Sequence, residues 1–227
     1  MVRYAHFTTS LLRYGGPVTK ALTEFCMSFE SDPYSTETRQ GVNLRRKVDQ
    51  LVIADVDHAY EVAKSIVHPW YRCQSLAKVA EHTNGTLLAS TIKESFASAL
   101  NCHDENRRVE VARWPLSVAI RRGKEDLAEF MLMECIEQLS RDRDPISTWC
   151  AVSVLHTIKG DNKLVDIFCD AFIRATSKGH GWRVERSIKN LLSDPHAAQH
   201  PKYIEHLQRR QTEIENWKNE HRVQKSS

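Results

Sequence analysis

The chain has 227 residues, 41% hydrophobic and 27% charged, which is enough apolar material for a core and excludes a chain disordered by composition. No run approaches the roughly 18 consecutive apolar residues that a membrane helix needs. A net charge of +3 is too small to announce a nucleic-acid partner by composition.

Six cysteines, at positions 26, 73, 102, 135, 150 and 169, form no CxxC pair. Their wide spacing fits neither a zinc site nor a dense disulfide framework. The expectation is reduced, buried thiols in a cytoplasmic protein, and the start MVRYAHFTTSLLRYGG has no long apolar region of the secretory kind.

In chain order, residues 1–53 form an N-terminal helical segment. Its first 30 residues offer two short helical stretches broken by Gly15-Gly16-Pro17. The stretch ESDPYSTETRQG over 30–41 is polar and turn-rich and predicts a loop. Arg45-Arg46-Lys47, beside Asp49, reads as ordinary helix surface. Residues 54–194 then carry apolar side chains at helical spacing: Ala59, Val62, Ala63 and Ile66; Leu76, Val79 and Ala80; Leu127, Phe130, Met131 and Cys135; Val165, Phe168, Cys169 and Phe172. Alternating strand patterns are nearly absent, so the prediction is all-α.

Punctuation sets the helix borders. Pro69 disfavours helix at His68, Thr83-Asn84-Gly85 supplies a stop, and further breaks fall at Asn101–Asp104, Gly123–Asp126, Arg141–Pro145, Gly160–Asn162 and Gly179–Gly181. Links of about 2 to 5 residues predict antiparallel helical hairpins. Turns centred on Pro69, Glu105, Pro145 and Gly181 recur at spacings of 36, 40 and 36 residues. The helix after each turn repeats its apolar offsets: Leu76 and Val79, Ala112 and Leu116, Val152 and Leu155, Ile188 and Leu191. Trp70 and Trp182 each follow a turn by one residue, and Trp149 stands near the same place. A two-helix period of this length predicts an α-solenoid of about four stacked units.

AYEVAKSIVHPWYRCQSLAKVAEH, from Ala59, resembles a helical-hairpin repeat common in bacterial proteins. It shares the alanine-rich helix, Ser-Ile, the proline turn, then arginine and an Ala/Leu-rich helix. DENRRVEVARWPLSVAIRRGKEDLAEFML, from Asp104, is similar to a diverged copy, with Arg108 where Arg72 stands. The third and fourth units carry Thr148 and Val184 at that place. Such units are related in style to tetratricopeptide and HEAT repeats, and the resemblance implies protein binding rather than catalysis. Residues 195–227 form a linker and a C-terminal capping helix whose Ile204, Leu207, Ile214 and Trp217 lie among many charges, with Glu205–Arg209 and Arg209–Glu213 at i,i+4 spacing.

Catalytic signatures are missing: no GxxxxGK[ST], no GxGxxG after a strand, no HExxH and no GxSxG. His196 and His200 are four apart but bracketed by Pro195 and Pro201, and a polar linker explains them without a metal. Asp55 and Asp57 fit a helix N-terminus better than a carboxylate pair. The expectation is a protein that is not an enzyme and needs no cofactor or metal.

The basic and aromatic residues near the start of the second helices are the candidate partner-binding set: Arg72, Arg107, Arg108, Arg113, Arg183 and Arg186, with Trp70 and Trp182. Stacking would set the arginines in a row, where their planar forks suit carboxylate or phosphate. Pairing with nearby acids and packing between units are the plainer readings of the same residues. The expected function is a protein or peptide interaction module without a membrane partner and with homo-oligomerisation open. The alternative is nucleic-acid binding through the arginine row.

Overall fold

In a computed structural model of the chain, the structure describes residues 33–103, 105–141, 147–177, 182–193 and 201–223. Ten α-helices account for nearly all of these residues: α1 Pro33–Leu51, α2 Val56–Lys64, α3 Pro69–His82, α4 Gly85–Leu100, α5 Glu105–Arg121, α6 Glu125–Arg141, α7 Ser147–Ile158, α8 Asn162–Thr176, α9 Trp182–Leu192 and α10 Pro201–Val223. The protein is all-α, with no strand among the described residues. The expected helical stretches within 1–30 and the His196/His200 pair lie outside them.

Local chemistry explains most borders. Asp55 caps α2 by accepting from the His58 amide, and Asp161 caps α8 by accepting from the Leu164 amide. Asp57 adds an acid to the first turn of α2, where the helix end is positive. Pro69 opens α3 at a position where no N–H is needed. α5 ends on Gly123 at φ +61°, with the Lys124 amide donating to Ala119 O and the Gly123 amide to Ile120 O. This paired arrangement satisfies the last carbonyls and needs a left-handed residue that only glycine adopts cheaply.

Two expectations change here. The predicted polar loop over 30–41 is helical from Pro33 onward, as the first turns of α1. Gly41, which reads as a turn residue, is buried where α1 crosses α3. A Cβ there would stand 2.5 Å from Tyr71 Cδ2, so the glycine permits close helix approach rather than a turn. Arg45, expected as plain surface, is half-buried: its guanidinium donates to Gln74 Oε1 at 2.7 Å and lies over the Tyr71 ring.

Consecutive helices pack together, and the helices of the α1, α3, α5, α7, α9 series and of the α6, α8, α10 series also pack on the helix two places along the chain. α3 packs more closely on α4 than on α2, α5 on α6 than on α4, α7 on α8 than on α6, and α9 on α10 than on α8. The expected turns at Pro69, Glu105, Pro145 and Gly181 therefore fall between these pairs, and the helices that follow them are first helices of pairs, not second. α1, α3, α5, α7 and α9 contact one another in order as one layer. The core follows this layout: a continuous apolar cluster runs from Cys73 to Ile214, and a smaller one joins α1 and α2 to α3 through Leu76 and Val79.

Pro115, inside α5, leaves the Val111 carbonyl without its usual amide donor. Cys73 on α3 occupies that place, its Sγ donating to Val111 O at 3.5 Å, while Ser95 of α4 donates to Cys73 O at 2.7 Å. Three helices are thus joined at one buried polar point. Burial pushes the Cys73 and Cys135 thiols up to about 12, and all five described cysteines are buried thiols, in line with small apolar fillers.

α10 does more than offer a solvated cap. Tyr203 is buried and its hydroxyl donates to Val165 O at 2.6 Å. His206 meets Thr176 Oγ1 at 2.8 Å, and the buried Arg210 donates to Thr176 O, fastening α10 on the C-terminal end of α8. No helix among the described residues is long and apolar enough to cross a membrane.

Candidate functional site

The arginines expected to form one row separate into two kinds. Arg72 and Arg108, which stand at matching places in the sequence pattern, both turn into their own hairpins. Arg72 Nε donates to Ser98 Oγ of α4 at 3.1 Å; Arg108 donates to Cys102 O at 2.9 Å and to Gln138 Oε1 of α6 at 3.2 Å. Ser98 and Gln138 occupy matching positions late in α4 and α6, so in these two hairpins the arginine joins the paired helices rather than facing outward.

Arg107 and Arg113 belong to the outer surface of α5. This helix is flanked by α3 and α7 and backed by α4 and α6, which leaves one side to solvent. Arg107, Trp114 and Arg121 recur along that side every two turns. Arg113 pairs with Glu110 at 2.8 Å and lies over the Trp114 ring at 5.3 Å. Trp114 keeps 40% of its surface exposed, and Trp149 on the neighbouring α7 keeps 51%. Trp149 is therefore not the inter-unit packing residue that its position predicts. Trp114 was not among the residues the sequence pattern singles out. The signal was a tryptophan on the polar stripe of Arg107, Glu110, Ser117 and Arg121, rather than on the apolar stripe of Ala112 and Leu116. Arg186 is exposed on α9, whereas the side chains of Trp182 and Arg183 lie outside the described residues.

On the first-helix side, Glu81 is paired with both Lys78 and Arg121, and Glu110 with Arg113. These pairs hold Glu81 below the ordinary carboxylate range despite its partial burial, which opposes them. The second helices carry paired acids as well: Glu129 meets Lys163 at 2.5 Å and Glu137 meets Arg141 at 3.0 Å, beside Glu134, Asp166 and Asp170.

Trp70 is half-buried against the core and borders a cavity of about 330 Å³ between the starts of α3 and α5. α1 contributes Glu37 and Thr38, the α2–α3 link His68, the end of α4 Asn101 and His103, and α5 Arg107. Burial lowers the His68 pKa; nearby Arg107 lowers it further, and Glu37 works in the opposite direction. No group of three or more potential metal-ligating residues occurs among the described residues.

The architecture and this surface define an all-α protein of sequentially packed helices with a solvent-facing aromatic and basic stripe. No family model matches the chain, and no curated protein or solved structure is detectably similar to it.

Proposed function

We propose that the chain is a helical-repeat interaction module, a solenoid of the tetratricopeptide or HEAT style, that holds an acidic segment of a partner protein without catalysing a reaction. The binding face is the outer side of α3, α5 and α7. Exposed Trp114 and Trp149 on adjacent helices carry this reading, because large aromatic side chains supply much of the energy at protein interfaces. Arg113 over Trp114 and the unshared positive side of the Lys78–Glu81–Arg121 cluster favour acidic groups beside an apolar anchor.

The test is affinity capture from cell lysate with the intact chain and with a Trp114→Ala, Trp149→Ala double variant. A distinct protein recovered by the first, lost with the second and unaffected by nuclease fits the proposal. Equal recovery by both rejects this face. Nucleic-acid binding through the same basic stripe is the second reading; it requires that capture be nuclease-sensitive and fall steeply with salt.

A further inference from the structure

A second apolar surface lies on α6 and α8, apart from the Trp114–Trp149 face. Phe130 and Met133, one turn apart on α6, keep 58% and 52% of their surface exposed. The next turn of α6 brings Ile136 and Leu139, which line a groove of about 400 Å³ together with Ala171 and Ala175 of α8. Large apolar side chains left exposed beside an apolar groove mark a docking surface. Its surroundings are acidic: α6 and α8 together carry seven carboxylates and three cations. Lys163 serves three of those acids, since Glu129 at 2.5 Å raises its pKa first and Glu125 and Asp126 add to the shift. Asp166 and Asp170 stand exposed on the outer side of α8. A second copy of α6 laid antiparallel on the Phe130–Met133 pair would set Asp126 against Glu137 and Glu129 against Glu134, so like charge opposes self-association on this face. The surface instead suits an occupant with an apolar stripe and positive charge.

The chain carries such a segment ahead of α1. Tyr4, Phe7, Leu11 and Tyr14 recur at a spacing that gives one apolar stripe on a helix, and residues 1–20 contain Arg3, Arg13 and Lys20 but no Asp or Glu. The tether starts on the matching edge of the molecule. Glu37, near the start of α1, and Arg107, at the start of α5, line one cavity; Arg108 then bonds Gln138 near the end of α6, beside Leu139 of the groove. At helix spacings of about 8–10 Å the groove lies roughly 30 Å from Pro33, whereas residues 15–32 can reach up to about 60 Å. We propose that residues 1–14 dock on the α6–α8 groove of their own chain, with Phe7 and Leu11 on the Phe130–Met133 stripe and Arg3 and Arg13 toward the surrounding acids. This is the helix-in-groove mode of peptide recognition, in which apolar anchors supply affinity and flanking charges set the register.

The test uses the full chain with Cys26→Ser and Thr9→Cys, which sets one reactive thiol away from the apolar stripe, because the five described cysteines are buried. A nitroxide on that thiol is expected to broaden the methyl NMR signal of Met133, assigned through its loss in Met133→Leu, and reduction by ascorbate restores the signal. Phe7→Asp with Leu11→Asp should cut the broadening about fivefold or more, since the docked stripe would then bury charge. Asp166→Lys with Asp170→Lys, both at exposed positions, should cut it about twofold or more. Far-UV circular dichroism should be unchanged in both variants. No broadening at Met133 overturns the proposal, as does broadening that either double variant leaves intact. Broadening of equal size in a mixture of nitroxide-bearing chain with methyl-labelled chain also overturns it, because the occupant would then come from a second copy.

Discussion

Arg121 and Arg122 are neighbours in sequence and identical in type, yet the structure gives them opposite weights. Arg121 makes an ion pair with Glu81 while its own side chain remains 58% exposed. Such pairs contribute about 0–1 kcal/mol, since solvent and salt screen them and ordering the side chain offsets the gain. Arg122 is half-buried and donates to Glu81 O at 2.6 Å, Thr83 O at 2.9 Å and Asn84 Oδ1 at 2.7 Å. It thereby closes the C-terminal end of α3 and the α3–α4 link from the far end of α5. Hydrogen bonds from a charged donor contribute about 1.5–3 kcal/mol each, but water reaches part of this site, and one or two of the acceptors recover partners from solvent. The expected cost of Arg122→Ala is therefore about 2–3 kcal/mol, a fall in Tm of roughly 4–12 °C for a chain of this size. Arg121→Ala is expected to cost under about 1 kcal/mol. Urea unfolding followed by far-UV circular dichroism gives both values from one series. Arg122→Lys separates charge from geometry, because a single ammonium cannot span three acceptors and should recover less than half of the loss. Equal effects of the two alanine variants, or full recovery by lysine, would refute the assignment of Arg122 as a link between helices.

Two further predictions concern packing and pH. Gly41→Ala should destabilise by about 1–3 kcal/mol, through overlap with Tyr71 and despite the better helix propensity of alanine; Tyr71→Ala in the same chain should remove most of that penalty, read as a coupling in a double-mutant cycle. His68 and His206 both have lowered pKa values, caused first by burial. The unfolded chain therefore takes up protons before the folded one does. Their contribution is complete above about pH 6.5 and is lost as pH falls below it, so the urea midpoint should decline from pH 7 to pH 5. His206→Gln should flatten that decline, and an unchanged slope would remove His206 from the account.

The helix borders were legible because proline, glycine and aspartate act locally. Pro69, Gly123 and Asp161 set their helix ends through their own backbone chemistry. The pairing of helices was not legible from apolar periodicity, which marks a buried stripe without naming its partner. Link length held a better signal: Thr83-Asn84 joins α3 to α4 with two residues, and five residues separate α6 from α7. The helical start of α1 was hidden for a different reason. Its Ser, Thr and Gly residues favour turns locally, and the contact that makes Gly41 suitable comes from Tyr71 on another helix. At the candidate face, the arginines were visible in the sequence but their directions were not. Arg72 turns inward because Ser98 lies within reach across its hairpin, and Arg113 stays outside because Glu110 is one turn away on its own helix.

The pattern in which each helix packs on helices one or two places along the chain has a kinetic consequence. Arg122 and Glu81 are joined across 41 residues of a 227-residue chain, and the helix-to-helix contacts described above span comparable or shorter distances. Closing loops of this length carries a modest entropic cost that grows only slowly with size. Any internal pair can nucleate, and its neighbours then add one at a time onto a surface already formed. Folding is thus expected to be fast for the chain length and to lose cooperativity from the ends inward.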